Sequence, residues 1–359
     1  MQTLDFKKAV TFIPNKKEPI YNWYYFKEGF SKQLVDYFLE KYSPKRVLDP
    51  FCGVGTTLLA CKQKEIDGAG LDVSSLAVFV AKVKTANYDI NVIKQLFEKF
   101  KEKHVGEKIK TRYKSYFPKY VLDIGAGYLS IIESFPQPYQ DFFKLALMDS
   151  MMKCSYAFKD GAVLKRFKRP LPPFKLTFRN KVKKMIKDLE KMNLPKIVPE
   201  IIQGDARNMP FEDESFDLVI TSPPYLNKIE YTQVYGPELE IFFKLPETKL
   251  RSYIGEDIKK TYEKYLEFPP AAQAYFSDLE KSLQEIYRVL QKNGHMVLVI
   301  GGGCFPDRAI DVPEQTKKIC EEIGFLKIEE IVARKFWCFF KRIKVGQVSE
   351  SILVYQKPF

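Results

Sequence analysis

The run RVLDPFCGVGTTLLACK, residues 46–62, constrains the fold most. A short apolar strand breaks at Asp49-Pro50, passes through Gly53 and Gly55, and gives way to helix-forming residues. Strand, glycine turn and helix in that order open a doubly wound α/β sheet, because glycines allow the tight turn and expose bare backbone at a helix N-terminus. Residues 67–71 read as a second strand ending at Asp72, and 74–85 follow with apolar positions at helical spacing. The rhythm resumes at 197–203, a strand ending in Gly204 and Asp205, and at 216–221, which stops at Ser222-Pro223-Pro224. Farther on, an amphipathic helix is expected over 274–290 with Gly294 as its stop, then a buried strand over 295–300 and three glycines at 301–303. Segments 325–333 and 350–356 read as an antiparallel pair at the sheet edge.

Between 88 and 195 the alternation lapses into a helical-looking, aromatic and basic stretch, with Pro170, Pro172 and Pro173 marking a loop. Residues 153–191 hold 13 Lys and Arg against 3 Asp and Glu, most of the formal +13 of the whole chain. Such a balance attracts polyanions, so nucleic acid is the first partner to consider. A second irregular region, 226–270, is rich in Tyr and Glu. With 359 residues, 45% of them hydrophobic, the chain is no disordered tail. No apolar run approaches the roughly 20 residues of a membrane span, and the opening MQTLDFKKAV has no apolar signal core, so a soluble cytoplasmic protein is expected. Six scattered cysteines without C-x-x-C spacing, and only two histidines, speak against a zinc site and against a disulfide framework.

The chemistry-bearing residues fall at strand ends. The glycine turn lacks the Gly-Lys-Ser/Thr ending of a triphosphate loop, since Gly55 is followed by Thr56 and Thr57. Asp72, about 20 residues on, stands where a carboxylate accepts both hydroxyls of a ribose, although capping the helix at Ser74 would place an aspartate there equally well. Asp205 is positioned to accept from an adenine amino group, or to serve a plain turn. In Thr221-Ser222-Pro223-Pro224-Tyr225, two prolines stiffen a turn that offers the Ser222 hydroxyl and a carbonyl as acceptors for an exocyclic amino group. Tyr225 adds a face for stacking a base taken out of its helix.

DPFCGVGTT followed by TSPPY resembles the S-adenosylmethionine-dependent amino-methyltransferases of nucleic acids, in particular the cytosine-N4 type, whose corner is S-P-P-Y where adenine-N6 enzymes more often carry D-P-P-Y. The segment YNWYYFKEGFSKQLV, 21–35, is similar to the family segment that packs over the methionine end of the cofactor. The resemblance implies a Rossmann-like methyltransferase sheet with S-adenosyl-L-methionine as cofactor. Asp49, Phe51, Gly53, Gly55 and Thr56 then form the cofactor loop, Asp72 the ribose partner and Asp205 the adenine partner, with Trp23 and Phe30 against the methionine moiety. Ser222, Pro223, Pro224 and Tyr225 hold and stack the target base. It also implies direct in-line transfer, with no nucleophilic role for Cys52 or Cys61. Val54 departs from the usual serine of the loop, and the insert falls outside the usual recognition-domain positions.

The expected partition is a cofactor-binding half over 1–87, a basic helical insert over 88–195 and a catalytic half over 196–359. Lys165, Arg166, Lys168, Arg169, Arg179, Lys183 and Lys184, interleaved with Phe167, Phe174 and Phe178, are candidate phosphate partners, with a solvated helix face as the plain alternative. The expected activity is cytosine-N4 methylation, with DNA ahead of RNA and a modification enzyme as the setting. The same chemistry on RNA, adenine-N6 transfer, and a binding protein that kept the fold without catalysis remain open.

Overall fold

The computed structural model describes residues 4–26, 28–102, 104–160, 163–226, 231–244 and 259–359. Much of the irregular region 226–270 therefore lies outside the described residues. The sheet strands are β1 (Arg46–Asp49), β2 (Asp67–Asp72), β3 (Glu200–Gln203), β4 (Phe216–Thr221), β5 (Leu290–Gly301), β6 (Leu326–Phe340) and β7 (Ile343–Gln356). They lie in the order β6-β7-β5-β4-β1-β2-β3. Strands β1 to β5 pair in parallel, while β7 runs antiparallel to both β5 and β6. This is the doubly wound sheet expected from the sequence, with its antiparallel pair at one edge, and it is the Rossmann-like fold of methyltransferases.

The chain leaves β1 toward β2 and β3, then returns to build β4 on the opposite flank of β1, so the sheet reverses direction between β1 and β4. A crevice outside the carboxyl ends of the strands forms at such a reversal. That strand pair is pinned at both ends. The Asp217 carboxylate accepts from the amides of Lys45 and Arg46 at 2.7 and 3.0 Å. At the other end, the Thr221 hydroxyl donates to Asp49 at 2.7 Å.

Several boundaries differ from the sequence expectation. Strand β3 begins at Glu200, after Pro199, whose missing amide delays the ladder. The helix before β5 spans Pro270–Val289 and passes straight into the strand at Leu290, so Gly294 lies inside β5 and is no helix stop. Strands β6 and β7 are far longer than expected and form a ribbon closed by Lys341 and Arg342. Cys304 and Cys338 form a disulfide, where the scattered spacing predicted none.

Among the described residues, the stretch 88–195 holds four long helices, Ile90–Glu98, Lys119–Glu133, Tyr139–Lys153 and Phe174–Met192, plus an unexpected hairpin of Ala157–Asp160 with Val163–Arg166. It shares one hydrophobic core with the amino-terminal aromatics: Phe12, Tyr21, Trp23 and Phe26 pack with Phe100, Phe142, Phe143, Phe174 and Phe178. No helix among the described residues is long and apolar enough to cross a membrane.

Candidate active site

Three neighbouring strand ends, those of β2, β1 and β4, converge on the sheet edge. The turn after β1 reaches the helix Thr56–Gln63 through Gly55, which has φ 77° and no side-chain cap on the helix. A Cβ at Gly55 would meet the Ala81 Cβ at 2.8 Å, so both the backbone conformation and the close helix packing demand glycine. The uncapped first turn presents amide donors and the positive end of the helix dipole to any anion in the crevice.

Asp49 is the knot of the site. Its carboxylate, 2% exposed, accepts from the hydroxyls of Thr57 and Thr221, both at 2.7 Å, and from the Phe51 amide at 3.3 Å. It therefore ties the glycine turn to the end of β4. Burial pushes this carboxyl up to about 6, against the opposing pull of the Thr221, Thr57 and Phe51 donors. Replacing Thr221 by Val should destabilise the protein by about 1–3 kcal/mol, because a buried charged acceptor loses a short bond. Urea denaturation checks this, and an unchanged midpoint would contradict the pin.

The pH dependence has a definite sign. Ionising Asp49 costs the folded chain a desolvation that the unfolded chain does not meet. That cost is absent below the ordinary value of 3.8 and complete above about 6. As pH rises through this window, the wild type should lose about 3 kcal/mol relative to Asp49→Asn. Parallel stability curves for the two proteins would contradict it.

Asp72 ends β2 and faces the same turn. One oxygen accepts from the Gly53 amide at 3.0 Å and the other from the Ser74 amide at 2.8 Å. The capping alternative is thus met structurally, while each carboxylate oxygen keeps a second lone pair for a ligand. Phe26, within the segment 21–35, lies against Gly53 and stacks on Tyr235 with centroids 5.3 Å apart. Cys52 is buried, and burial together with Asp72 and Asp49 holds its thiol protonated.

Ser222, Pro223, Pro224 and Tyr225 follow β4 directly, Ser222 and Tyr225 being partly exposed. The Tyr225 ring lies on Gly301 at the end of β5, where a Cβ would come within 2.8 Å of it. Its hydroxyl donates to Glu350 at 2.6 Å, and Glu350 also pairs with Arg334. Burial first, then the Glu350 carboxylate, push the phenol well above its usual range, so it stays a neutral donor. The anchor comes from β7, 125 residues away in sequence.

Other candidates stand elsewhere. Trp23 is fully buried, its Nε1 donating to Asp188 at 3.0 Å and its ring edge-on to Phe142. Phe30 is 5% exposed and packs with Leu34, Val35 and Phe38. Interior packing consumes the Trp23 side chain, whereas the Phe30 carbonyl accepts at 3.0 Å from Asn15 Nδ2, which also donates to the Thr56 hydroxyl at 3.5 Å at the start of the glycine-turn helix. Asp205 lies just beyond β3 with its carboxylate bound by the Arg207 guanidinium at 2.6 Å, which keeps it ionised. Phe51 is partly buried beside the turn, and Thr56 is buried at the first position of the helix.

The seven basic candidates are all exposed. Lys165 pairs with Asp160 at 2.6 Å, Arg166 donates to the Ser115 carbonyl at 2.7 Å, Arg169 to the Ser155 carbonyl at 3.4 Å, and Lys184 reaches Asp188 at 3.3 Å. Lys168, Arg179 and Lys183 have no ion-pair partner among the described residues. Of the interleaved aromatics, only Phe167 is exposed. Phe174 and Phe178 are core residues, because the helix turns that face inward.

Sheet order and converging strand ends are those of the Rossmann-like methyltransferase fold. Residues 216–358 match the family model described as DNA methylase, of the N6/N4 type, and 160–223 match a methyltransferase domain model. Among curated proteins, it is 29% identical to the type II methyltransferase M.BsoBI of Geobacillus stearothermophilus, over 98% of this chain and 88% of that one. It is 25% identical to the type II methyltransferase M.AvaI of Nostoc sp. PCC 7120, over 91% and 83%. A putative DNA modification methylase from Thermus thermophilus, solved with S-adenosyl-L-methionine, is 21% identical over 44% of this chain and 54% of that chain, with a TM-score of 0.27.

Proposed function

We propose that the protein is an S-adenosylmethionine-dependent DNA methyltransferase of the restriction-modification type, transferring a methyl group to the N4 amino group of cytosine. The observation that carries this is the Asp49–Thr221 bond, which holds the glycine turn and the Ser-Pro-Pro-Tyr corner side by side on one sheet edge. The DNA methylase family match and the two type II relatives support DNA as the polymer and modification as the setting. A cytoplasmic enzyme working on the chromosome follows from that reading. The serine at position 222 supports cytosine over adenine.

The residues fit the cofactor. The uncapped helix at Thr56 suits a carboxylate, Asp72 suits ribose hydroxyls, and Phe26 with Phe51 walls the turn. When bound, S-adenosylmethionine supplies an electrophilic methyl group on a sulfonium. The chain then has to align and to stabilise charge. The Ser222 hydroxyl and the Pro223 carbonyl accept the two amino hydrogens, keeping the nitrogen lone pair aimed across the crevice. Tyr225, fixed by Glu350, stacks the extruded base. A protonated, buried Cys52 supplies no nucleophile, which disfavours methylation at cytosine carbon 5.

Tritiated S-adenosylmethionine with paired DNA and RNA duplexes tests the polymer. Label in DNA alone is expected, and label confined to RNA would overturn the proposal.

A further inference from the structure

The β6–β7 ribbon outgrows the sheet. Strand β7 pairs with β5 only from Glu350 to Gln356, and the Glu350–Gly301 pair marks the last rung at the carboxyl end of β5. Residues 335–348 continue beyond that end, past the edge that carries Tyr225, and six residues of strand on each side of the turn reach roughly 20 Å. One face of this extension is docked. Cys338 is bonded to Cys304, Val348 packs on Gly302, and Gly346 packs on Ala309. The other face is open. Trp337 and Phe339 are 50% and 57% exposed, Lys344 lies 4.7 Å over the Trp337 ring, and Lys335 is exposed beside them.

From 334 to 344 the chain has five Lys and Arg and no acidic residue. Arg334 is paired with Glu350, whereas Lys335, Lys341, Arg342 and Lys344 have no ion-pair partner among the described residues. The two-residue turn breaks a local rule. Lys341 and Arg342 have φ of 45° and 72°, a pair of positive values for which Asn-Gly is the stable choice. Two long cations held there at a conformational cost imply a use for their charge.

We infer that residues 335–348 form an arm that grips duplex DNA beside the target base, with Lys335, Lys341, Arg342 and Lys344 on phosphates and Trp337 with Phe339 against the sugar and base edges. The inference rests on the DNA methyltransferase reading and adds the surface that holds the substrate. Charge complementarity selects the occupant, since a β-ribbon carrying unpaired cations and exposed aromatics suits a groove lined by phosphates. The ribbon is rooted at Glu350, so DNA held by the arm lies next to the residue that anchors Tyr225.

The test compares the full-length wild type with two variants, Lys341→Asn with Arg342→Gly and Lys335→Gln with Lys344→Gln. Anisotropy of a labelled mixed-sequence DNA duplex is followed across salt concentrations. Each double variant should flatten the slope of log affinity against log salt by about 2, near 0.9 for each lost phosphate contact. The turn variant should also melt at the same temperature as the wild type or higher, so its weaker binding is not misfolding. Trp337→Ala should weaken binding with the salt slope unchanged. Slopes and affinities equal to wild type, or losses seen only with an RNA duplex, would overturn the arm. A wild type that methylates DNA while both double variants bind DNA normally removes the arm and leaves the methyltransferase reading intact. A wild type without affinity for the duplex removes both.

Discussion

Ser222→Ala should slow methyl transfer about 10²–10³-fold at saturating cofactor, the scale on which removing one preorganised polar contact acts at a reacting centre. Cofactor affinity, measured by calorimetry, should stay within about twofold, because Ser222, the proposed acceptor, lies outside the glycine turn. The hydroxyl is a small group on a stiff corner, so its loss leaves the chain path unaltered and the effect falls on kcat. Tyr225→Phe separates a second contribution. It keeps the stacking face and deletes the bond to Glu350, leaving a buried carboxylate with Arg334 as its main partner. A smaller kinetic loss than that of Ser222→Ala, with a lower melting temperature, is expected. Equal turnover in wild type and Ser222→Ala would remove the acceptor role.

Asp72→Ala should act on the other half of the crevice. Two backbone amides, Gly53 and Ser74, lose their acceptor, and the proposed ribose contact is removed. A charged hydrogen-bonding group of this kind corresponds to about 1.5–3 kcal/mol, or roughly 10–100-fold in cofactor dissociation constant. Ser74 still caps its helix through the bond to the Ala77 amide, so the fold should persist. At saturating cofactor the rate should recover most of its wild-type value, a split opposite to that of Ser222→Ala. Unchanged cofactor affinity would leave Asp72 as a cap alone.

The sheet edge was legible because its signals are local. Strands 46–49, 67–72 and 216–221 are short apolar runs stopped by glycine, aspartate or proline, and β4 coincides with its expected bounds. What escaped depends on partners distant in sequence. Nothing near Tyr225 signals Glu350, and nothing near Trp23 signals Asp188, which withdraws that ring into the core. Phe174 and Phe178 lie among lysines, yet their i, i+4 spacing turns both inward while the cations remain outside. The ribbon was underestimated because its open face mixes lysine with aromatics and so lacks the apolar-polar alternation of a half-buried strand. Cys304 and Cys338 meet only once β6 has been placed beside the loop that follows β5.

The central claim is that a proline-stiffened corner presents oxygen acceptors to an exocyclic amine beside a methyl donor in the adjoining crevice. Mass spectrometry of nucleosides from DNA incubated with the protein and deuterium-labelled S-adenosylmethionine tests it most directly. Labelled N4-methylcytosine is the predicted product. Label in 5-methylcytosine, or no labelled nucleoside from DNA that carries the recognition sequence, would contradict the account.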